Sequence, residues 1–255
     1  MQPLFQLPLE DPLVRVASVN GNGTTVVTIA GEKLVQLWRA DALDAPVALD
    51  GHESDVHSAR FSSDGLYVVT TSSDKTVRVW RTDSPHDSLI FHGHQATVRD
   101  AVFSRDGRYV VSASDDNTAR VWDIQRKTEP RVLLGHPGPV FSAVFSEDGS
   151  KVITGSTGQA RVWNLDRPDV PLDLKFRGVD FRAVAFSREG SEAIGATDDG
   201  RILTWHIDWR WLAANIARFP KACLSSDQRI RLLGESSHDA SIEYNKCQLS
   251  IHQAR

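Results

Sequence analysis

GHQATVRDAVFSRDGRYVVSASDDNTARVWD occupies residues 93–123, and its plan recurs on both sides. Upstream, residues 51–81 read GHESDVHSARFSSDGLYVVTTSSDKTVRVWR; downstream, residues 135–164 read GHPGPVFSAVFSEDGSKVITGSTGQARVWN. A weaker copy, FRGVDFRAVAFSREGSEAIGATDDGRILTWH, covers residues 176–206. A first copy, LVRVASVNGNGTTVVTIAGEKLVQLWR, covers residues 13–39 and lacks the leading Gly-His; Pro8 and Leu9 stand near that position. The units close at Trp38, Trp80, Trp122, Trp163 and Trp205, spaced 42, 42, 41 and 42 residues apart. That period is the size of one four-stranded blade of a β-propeller.

Each unit carries the same strand signals. A short apolar run leads to a turn at Asp64–Gly65, Asp106–Gly107, Asp148–Gly149 or Glu189–Gly190. Glycine supplies the positive φ that such tight turns require. A β-rich run follows, as at Tyr67–Thr71 and Tyr109–Ser112, and after a second turn comes Val77–Trp80 or Ala119–Trp122. A fourth run leads into the next unit: Pro46–Leu49, Leu89–Phe91, Val132–Leu134 and Leu172–Leu174. The expected fold is all-β: a propeller of about five four-stranded blades over residues 1–207, with a small helical extension over 208–255.

At 40 % hydrophobic and 24 % charged residues, the 255-residue chain has the composition of a soluble domain. Its net charge of −4 gives no global attraction to nucleic acid or to an anionic membrane. No apolar run is long enough to span a bilayer, and MQPLFQLPLEDP lacks the basic flank and apolar core of a signal peptide. The two cysteines, Cys223 and Cys247, do not make a disulfide-stapled scaffold. A cytoplasmic location is expected.

These repeats resemble the WD-repeat family. The Gly-His pairs at 51–52, 93–94 and 135–136 match its opening signature, and Trp122–Asp123 matches its closing pair. The resemblance covers roughly 200 of the 255 residues. It implies a network of His, Ser/Thr, Asp and Trp inside a blade. Here that network maps to His52, Ser72, Asp74 and Trp80, and in the next blade to His94, Ser114, Asp116 and Trp122. The fourth unit keeps His136, Ser156 and Trp163 but has Gly158 where Asp is expected. The fifth has Thr197, Asp199 and Trp205 with Val179 near the His position, and the first has Ala30 and Glu32 at the Ser and Asp positions. The second and third blades are expected to be the best braced. A buried imidazole needs partners on both nitrogens and a buried indole N–H needs an acceptor, which gives the network its physical sense.

Leu4–Leu7 reads as a fourth strand without its own blade, and the fifth unit ends at Trp205 without one. Residues 4–7 are placed to complete that last blade and remove an exposed sheet edge. The family usually forms seven-bladed rings. Five units therefore leave three arrangements open: a closed five-bladed ring, an arc completed by another chain or a second copy, and part of a longer propeller.

The tail reads as helices. WRWLAANIARF, residues 209–219, is amphipathic and stops at Pro220; Ser225 with Gln228 and Ser236 with Asp239 are capping-box signals. ACLSSDQRIRLLGES, with Tyr244 and Cys247, resembles the C-terminal extension of large bacterial WD-repeat proteins. In those, an effector such as a nucleotide-binding module, a caspase-like protease or a kinase precedes the repeats. No GxxxxGK[ST] loop occurs in this chain.

Histidines 52, 94 and 136 recur one per blade and read as structural, not as a metal set. Serines beside His and Asp have triad composition, yet burial behind tryptophan denies them the exposure a nucleophile needs. No catalytic, cofactor or metal site is expected. The leading reading is a binding scaffold whose loops meet a protein or peptide, with Glu53, Asp55, Gln95, Thr97, Arg99, Phe141, Phe181 and Trp211 as contact candidates. The role that follows is a sensor or regulatory module of a bacterial signalling or defence protein, acting on an attached or separately encoded effector. The basic third unit (Arg99, Arg105, Arg108, Arg120, Arg126) is solvated rim charge or a partner surface. An enzyme using the central channel, or a structural subunit of a larger assembly, are the other classes; the repeats show no convergent catalytic set.

Overall fold

The computed structural model describes residues 14–126 and 128–207, together with Ser236 and His238. Residues 4–7, most of the tail and Trp211 lie outside the described residues. The chain divides into two compact units, Met1–Thr204 and Trp205–Arg255.

Three antiparallel four-stranded sheets follow one another along the chain. The first holds β1 (Val14–Val19), β2 (Thr25–Ala30), β3 (Leu34–Arg39) and β4 (Ala42–Ala48). The second holds β5 (Val56–Phe61), β6 (Tyr67–Ser72), β7 (Val77–Arg81) and β8 (Ser88–Phe91). The third holds β9 (Val98–Phe103), β10 (Tyr109–Ser114), β11 (Ala119–Asp123) and β12 (Arg131–Leu133). Every strand pairs with its sequence neighbour, the meander that tight turns dictate.

The fourth and fifth repeats merge into one hydrogen-bonded sheet, β13-β14-β15-β16-β17. These are β13 (Val140–Phe145), β14 (Lys151–Asn164), β15 (Arg167–Phe186), β16 (Glu192–Thr197) and β17 (Ile202–His206). Nine residues of straight strand would reach about 30 Å. Yet Trp163 Nε1 donates to Thr154 Oγ1 at 2.9 Å, so β14 doubles back, at Gly158 with its φ of +72°. Its arms are the second and third strands of the fourth blade. Leu172–Lys175 of β15 pair with β14, and Phe181–Phe186 pair with β16. One continuous strand is thus the rim of the fourth blade and the inner strand of the fifth.

The turns are built alike. Ser62 Oγ donates to Asp64 Oδ1 at 2.6 Å and accepts the Tyr67 N–H at 3.0 Å. Ser104–Asp106–Tyr109 and Ser146–Asp148–Lys151 repeat this arrangement. The Ser146 hydrogen bond holds the Asp148 carboxyl down at about 2 against the opposing effect of burial.

The core lies between sheets, not within one. Val27, Ile29, Val35, Leu37 and Leu49 of the first sheet pack on Val56, Ala59, Val68 and Trp80 of the second. Val69, Val77, Val79 and Phe91 pack on Val98, Ala101, Val110 and Trp122 of the third. Val111, Ala113, Ala119 and Leu133 pack on Val140, Ala143, Val152 and Trp163 of the fourth repeat. Each buried Val or Leu contributes about 1.5–3 kcal/mol. The strand alternation thus supplies two apolar faces per blade, one for each neighbour. This is the packing of propeller blades.

Candidate functional site

The brace that holds each blade's loop in place is a four-group chain. Trp80 Nε1 donates to Thr70 Oγ1 at 2.8 Å, Thr70 Oγ1 meets His52 Nε2 at 2.7 Å, and His52 Nδ1 meets Asp74 Oδ2 at 2.7 Å. The indole can only donate, so the hydroxyl gives its proton to Nε2, and a neutral ring then carries its proton on Nδ1 toward the carboxylate. Burial pushes the His52 pKa down despite Asp74. Burial alone would raise Asp74, but hydrogen bonds from Thr76 and His52 hold it at about 2.

In the third blade the chain is Trp122, Ser112, His94 and Asp116, at 2.9, 2.8 and 2.8 Å. In the fourth it is Trp163, Thr154 and His136, with Thr154 to His136 Nε2 at 2.8 Å. Lacking the carboxylate, His136 turns Nδ1 to the carbonyl of Asn117, 3.2 Å away in the preceding blade. Burial, with Arg161 nearby, lowers its pKa to about 4.

The hydroxyl positions expected from the sequence require correction by two residues. Thr70, Ser112 and Thr154 form the bridge, not Ser72, Ser114 and Ser156. Ser72 Oγ donates to the Ser54 carbonyl at 3.0 Å and accepts the Asp74 N–H at 3.0 Å. Ser114 does the same for Thr97 and Asp116, and Ser156 donates to the Gln159 carbonyl. Strand register decides this: Val68 lies opposite Trp80, which brings the indole nitrogen to residue 70. The first blade keeps the bond through Thr28, 2.8 Å from Trp38 Nε1. In the fifth, Gly195 takes the bridging position by register.

The glycines of the Gly-His pairs stand at φ of +151°, +150° and +94°, a backbone that favours glycine, and arginines pack close over them. The Arg78 guanidinium lies 5.9 Å from the Trp80 ring centroid and Arg161 lies 5.8 Å from that of Trp163. A Cβ on Gly93 would come 2.6 Å from Arg120 Nη1 and 3.4 Å from Trp122.

The braces hold a loop surface at one end of the inner strands. Each inner strand carries a β-bulge at its second residue: Arg15, His57, Arg99, Phe141 and Arg182. A bulge re-aims its side chain away from the ladder. Arg99 pairs with both oxygens of Asp115 at 2.8 and 2.7 Å. Arg182 lies 4.1 Å over the Phe141 ring and contacts Asp180 at 3.3 Å. His57 Nε2 meets Ser73 Oγ at 2.7 Å. Burial lowers the His57 pKa, and Arg99 and Arg15 lower it further, so the bulge residues of three blades share one electrostatic neighbourhood.

Glu53 and Gln95 are exposed, and their backbone N–H groups donate to Asp74 at 3.1 Å and Asp116 at 3.0 Å. Asp55 and Thr97 are half-buried and accept the N–H groups of Ser73 and Asp115. Arg99 is exposed and Phe141 half-buried. Phe181 is a correction: it is fully buried, because it occupies the strand position of Val98 and Val140 and packs inward as they do. Arg15, His57 and Arg182 were missed by sequence reasoning. The signal was present: each follows the first inner-strand residue, as Arg99 and Phe141 do.

The hydroxyls of the braces are spent on internal partners, so they present no nucleophile to solvent. Among the described residues no group of three or more His, Cys, Asp or Glu could hold a metal ion, and no helix is long and apolar enough to cross a membrane. A cleft of about 420 Å³ between the third and fourth repeats is lined by Arg108, Tyr109, Asp123, Arg126 and Arg131. Arg108 there contacts Asp123 at 3.1 Å and stacks 4.9 Å over Tyr109.

The family model described as "WD domain, G-beta repeat" matches residues 46–81, 87–123 and 127–164. These are the second, third and fourth repeats, the ones with a Gly-His pair. Domains of this kind generally bind proteins or peptides, usually as non-catalytic scaffolds. A search of curated proteins finds no match.

Proposed function

Because this chain belongs to the WD-repeat β-propeller family, we propose that it is a binding scaffold that receives a protein or peptide on the loop side of its inner strands. The observation that carries this reading is the set of equivalent bulge residues, three arginines with one histidine and one phenylalanine. They are re-aimed from a rigid frame, and rigidity lowers the entropic cost of binding. Arginine over an aromatic ring is a frequent anchor in binding interfaces. Glu53, Asp55, Gln95 and Thr97 flank these residues in sequence and supply polar groups for specificity. The biological role we assign is a regulatory module of a bacterial signalling or defence protein, acting in the cytoplasm on an attached or separately encoded effector. The tail words ACLSSDQRIRLLGES support that role.

Selection of peptides from a displayed library against the purified chain tests the surface. Selected peptides should lose about tenfold or more in affinity with Arg99→Ala or Phe141→Ala, a hot-spot cost of at least about 1.4 kcal/mol. They should be insensitive to Arg126→Ala in the cleft between the third and fourth repeats. Peptides that ignore the first two substitutions and respond to the third would overturn the reading.

A further inference from the structure

We propose that the free face of the fifth blade docks the free face of the first blade of a second copy of this chain, head to tail. The case rests on the repeats as internal controls. In the second blade, Val69, Thr71, Val77 and Val79 form the face turned to the next blade, and all are buried. Their counterparts by strand register in the first, third and fourth blades are likewise buried. In the fifth blade the same positions hold Ile194, Ala196, Ile202 and Thr204. Ile194 and Ala196 are half-buried, Thr204 is exposed, and Ile202 is 74 % exposed. The face keeps the apolar chemistry of a blade interface while being uncovered.

The other end of the series is unfinished in the complementary sense. Val56 and Val68, on the face the second blade turns to the first, are buried against it. Their counterparts in the first blade, Val14 and Val26, are only half-buried, and Val19, at the position of the half-buried Phe61, is 56 % exposed. The two ends therefore do not cover each other within one chain. What fits the fifth blade's face is known from four examples in the same molecule: the opposite face of a blade of the same design. The first blade of a second copy offers that face with Val19 exposed, Val14 and Val26 half-buried and Trp38 buried, and without a charged side chain at Val14, Val19 and Val26. Arg201, beside Ile202, is engaged with Asp199 at 2.8 Å and stacks 5.3 Å over Phe176, so it leaves the face apolar. Each chain has one face of each kind, so the contact is heterologous and closes into a ring wherever the rotation between copies permits.

Light scattering coupled to size exclusion on the full 255-residue chain provides the test. The wild-type chain should associate with rising concentration. Ile202→Glu and Val19→Glu should each weaken association by about tenfold or more, the effect of a charge set into an apolar contact. Both sites are exposed, so thermal melts of the variants should match wild type. An equimolar mixture of the two variants should recover a two-chain species, since each supplies the face the other lacks. A chain that stays monomeric at every concentration, association that survives both substitutions, or a mixture that fails to recover it would overturn the proposal.

Discussion

Replacing Thr70 by valine removes one hydroxyl at nearly constant volume, and the structure fixes what that hydroxyl holds. It accepts the Trp80 indole N–H at 2.8 Å and donates to His52 Nε2 at 2.7 Å. Both side chains are buried: Trp80 is 1 % exposed and the His52 side chain 1 %. Water cannot replace the lost partner. Each stranded polar group costs about 1–3 kcal/mol, and the added methyl returns part of this, so the expected loss is about 3 kcal/mol. Thr70→Ser keeps the hydroxyl and should cost about 1 kcal/mol or less, as one buried methyl implies. The third blade already uses serine here, at Ser112. Urea unfolding followed by circular dichroism gives the stability difference, and deuterium exchange at the Trp80 indole reports the bond itself. Thr70→Val should accelerate that exchange, while Ser72→Ala should leave it unchanged. If Thr70→Val proves as mild as Thr70→Ser, or if Ser72→Ala frees the indole, the assignment of the bridge is wrong.

Acidification should destabilise the protein in two stages. Burial depresses His52, His94 and His136 in the folded state. The unfolded chain takes up protons near 6.5 and the folded chain does not, so stability is complete above that pH and falls below it. His136, at about 4 when folded, accounts for up to about 3 kcal/mol of this loss. Asp74 and Asp148, held at about 2, add a second decline as pH drops below their ordinary 3.8. A urea midpoint that is flat from pH 7.5 to 4.5 would contradict the neutral-histidine assignment. Gly155→Ala should be among the most damaging alanine substitutions: its Cβ would sit 2.6 Å from the Phe181 carbonyl oxygen, which is backbone and cannot yield. Gly21→Ala should cost much less, because its Cβ would meet only the Ser63 carbonyl oxygen, at an ordinary 3.5 Å; thermal melts of the two rank them. Lys75 has a φ of +71° on an exposed turn, and Lys75→Gly should raise stability by about 0.5–1 kcal/mol in urea titration, relieving the left-handed strain.

The fold was legible because its determinants are local and recur. Asp-Gly turns, alternating runs and the closing tryptophans each state a strand boundary, and every hairpin joins sequence neighbours. The merging of the fourth and fifth repeats was not legible, because β15 runs on from rim to inner strand through Gly178, whose φ of +80° belongs to the kind of glycine that reads as a turn in the sequence. The brace was legible in His52, Asp74 and Trp80 but not in its hydroxyl. Thr70 and Ser72 point to the same face of one strand, as do Ser112 with Ser114 and Thr154 with Ser156, so alternation alone cannot choose between them. The first repeat held the answer, with Thr28 at one position and Ala30 at the other. The bulge positions recur from repeat to repeat, but that they are bulges was hidden for another reason. An extra residue in one strand shows only when its partner's register is known, so His57 and Arg182 passed as ordinary strand residues.

The carbonyl that His136 borrows from Asn117 ties two repeats into one mechanical unit. The second and third blades satisfy their own imidazoles; the fourth does so with the turn of its predecessor, held at a φ of +66° by Asn117. Loosening that turn strips a buried ring of its acceptor one blade away. Local opening should therefore spread across this seam instead of stopping at it, with amides on both sides exchanging as one cooperative block.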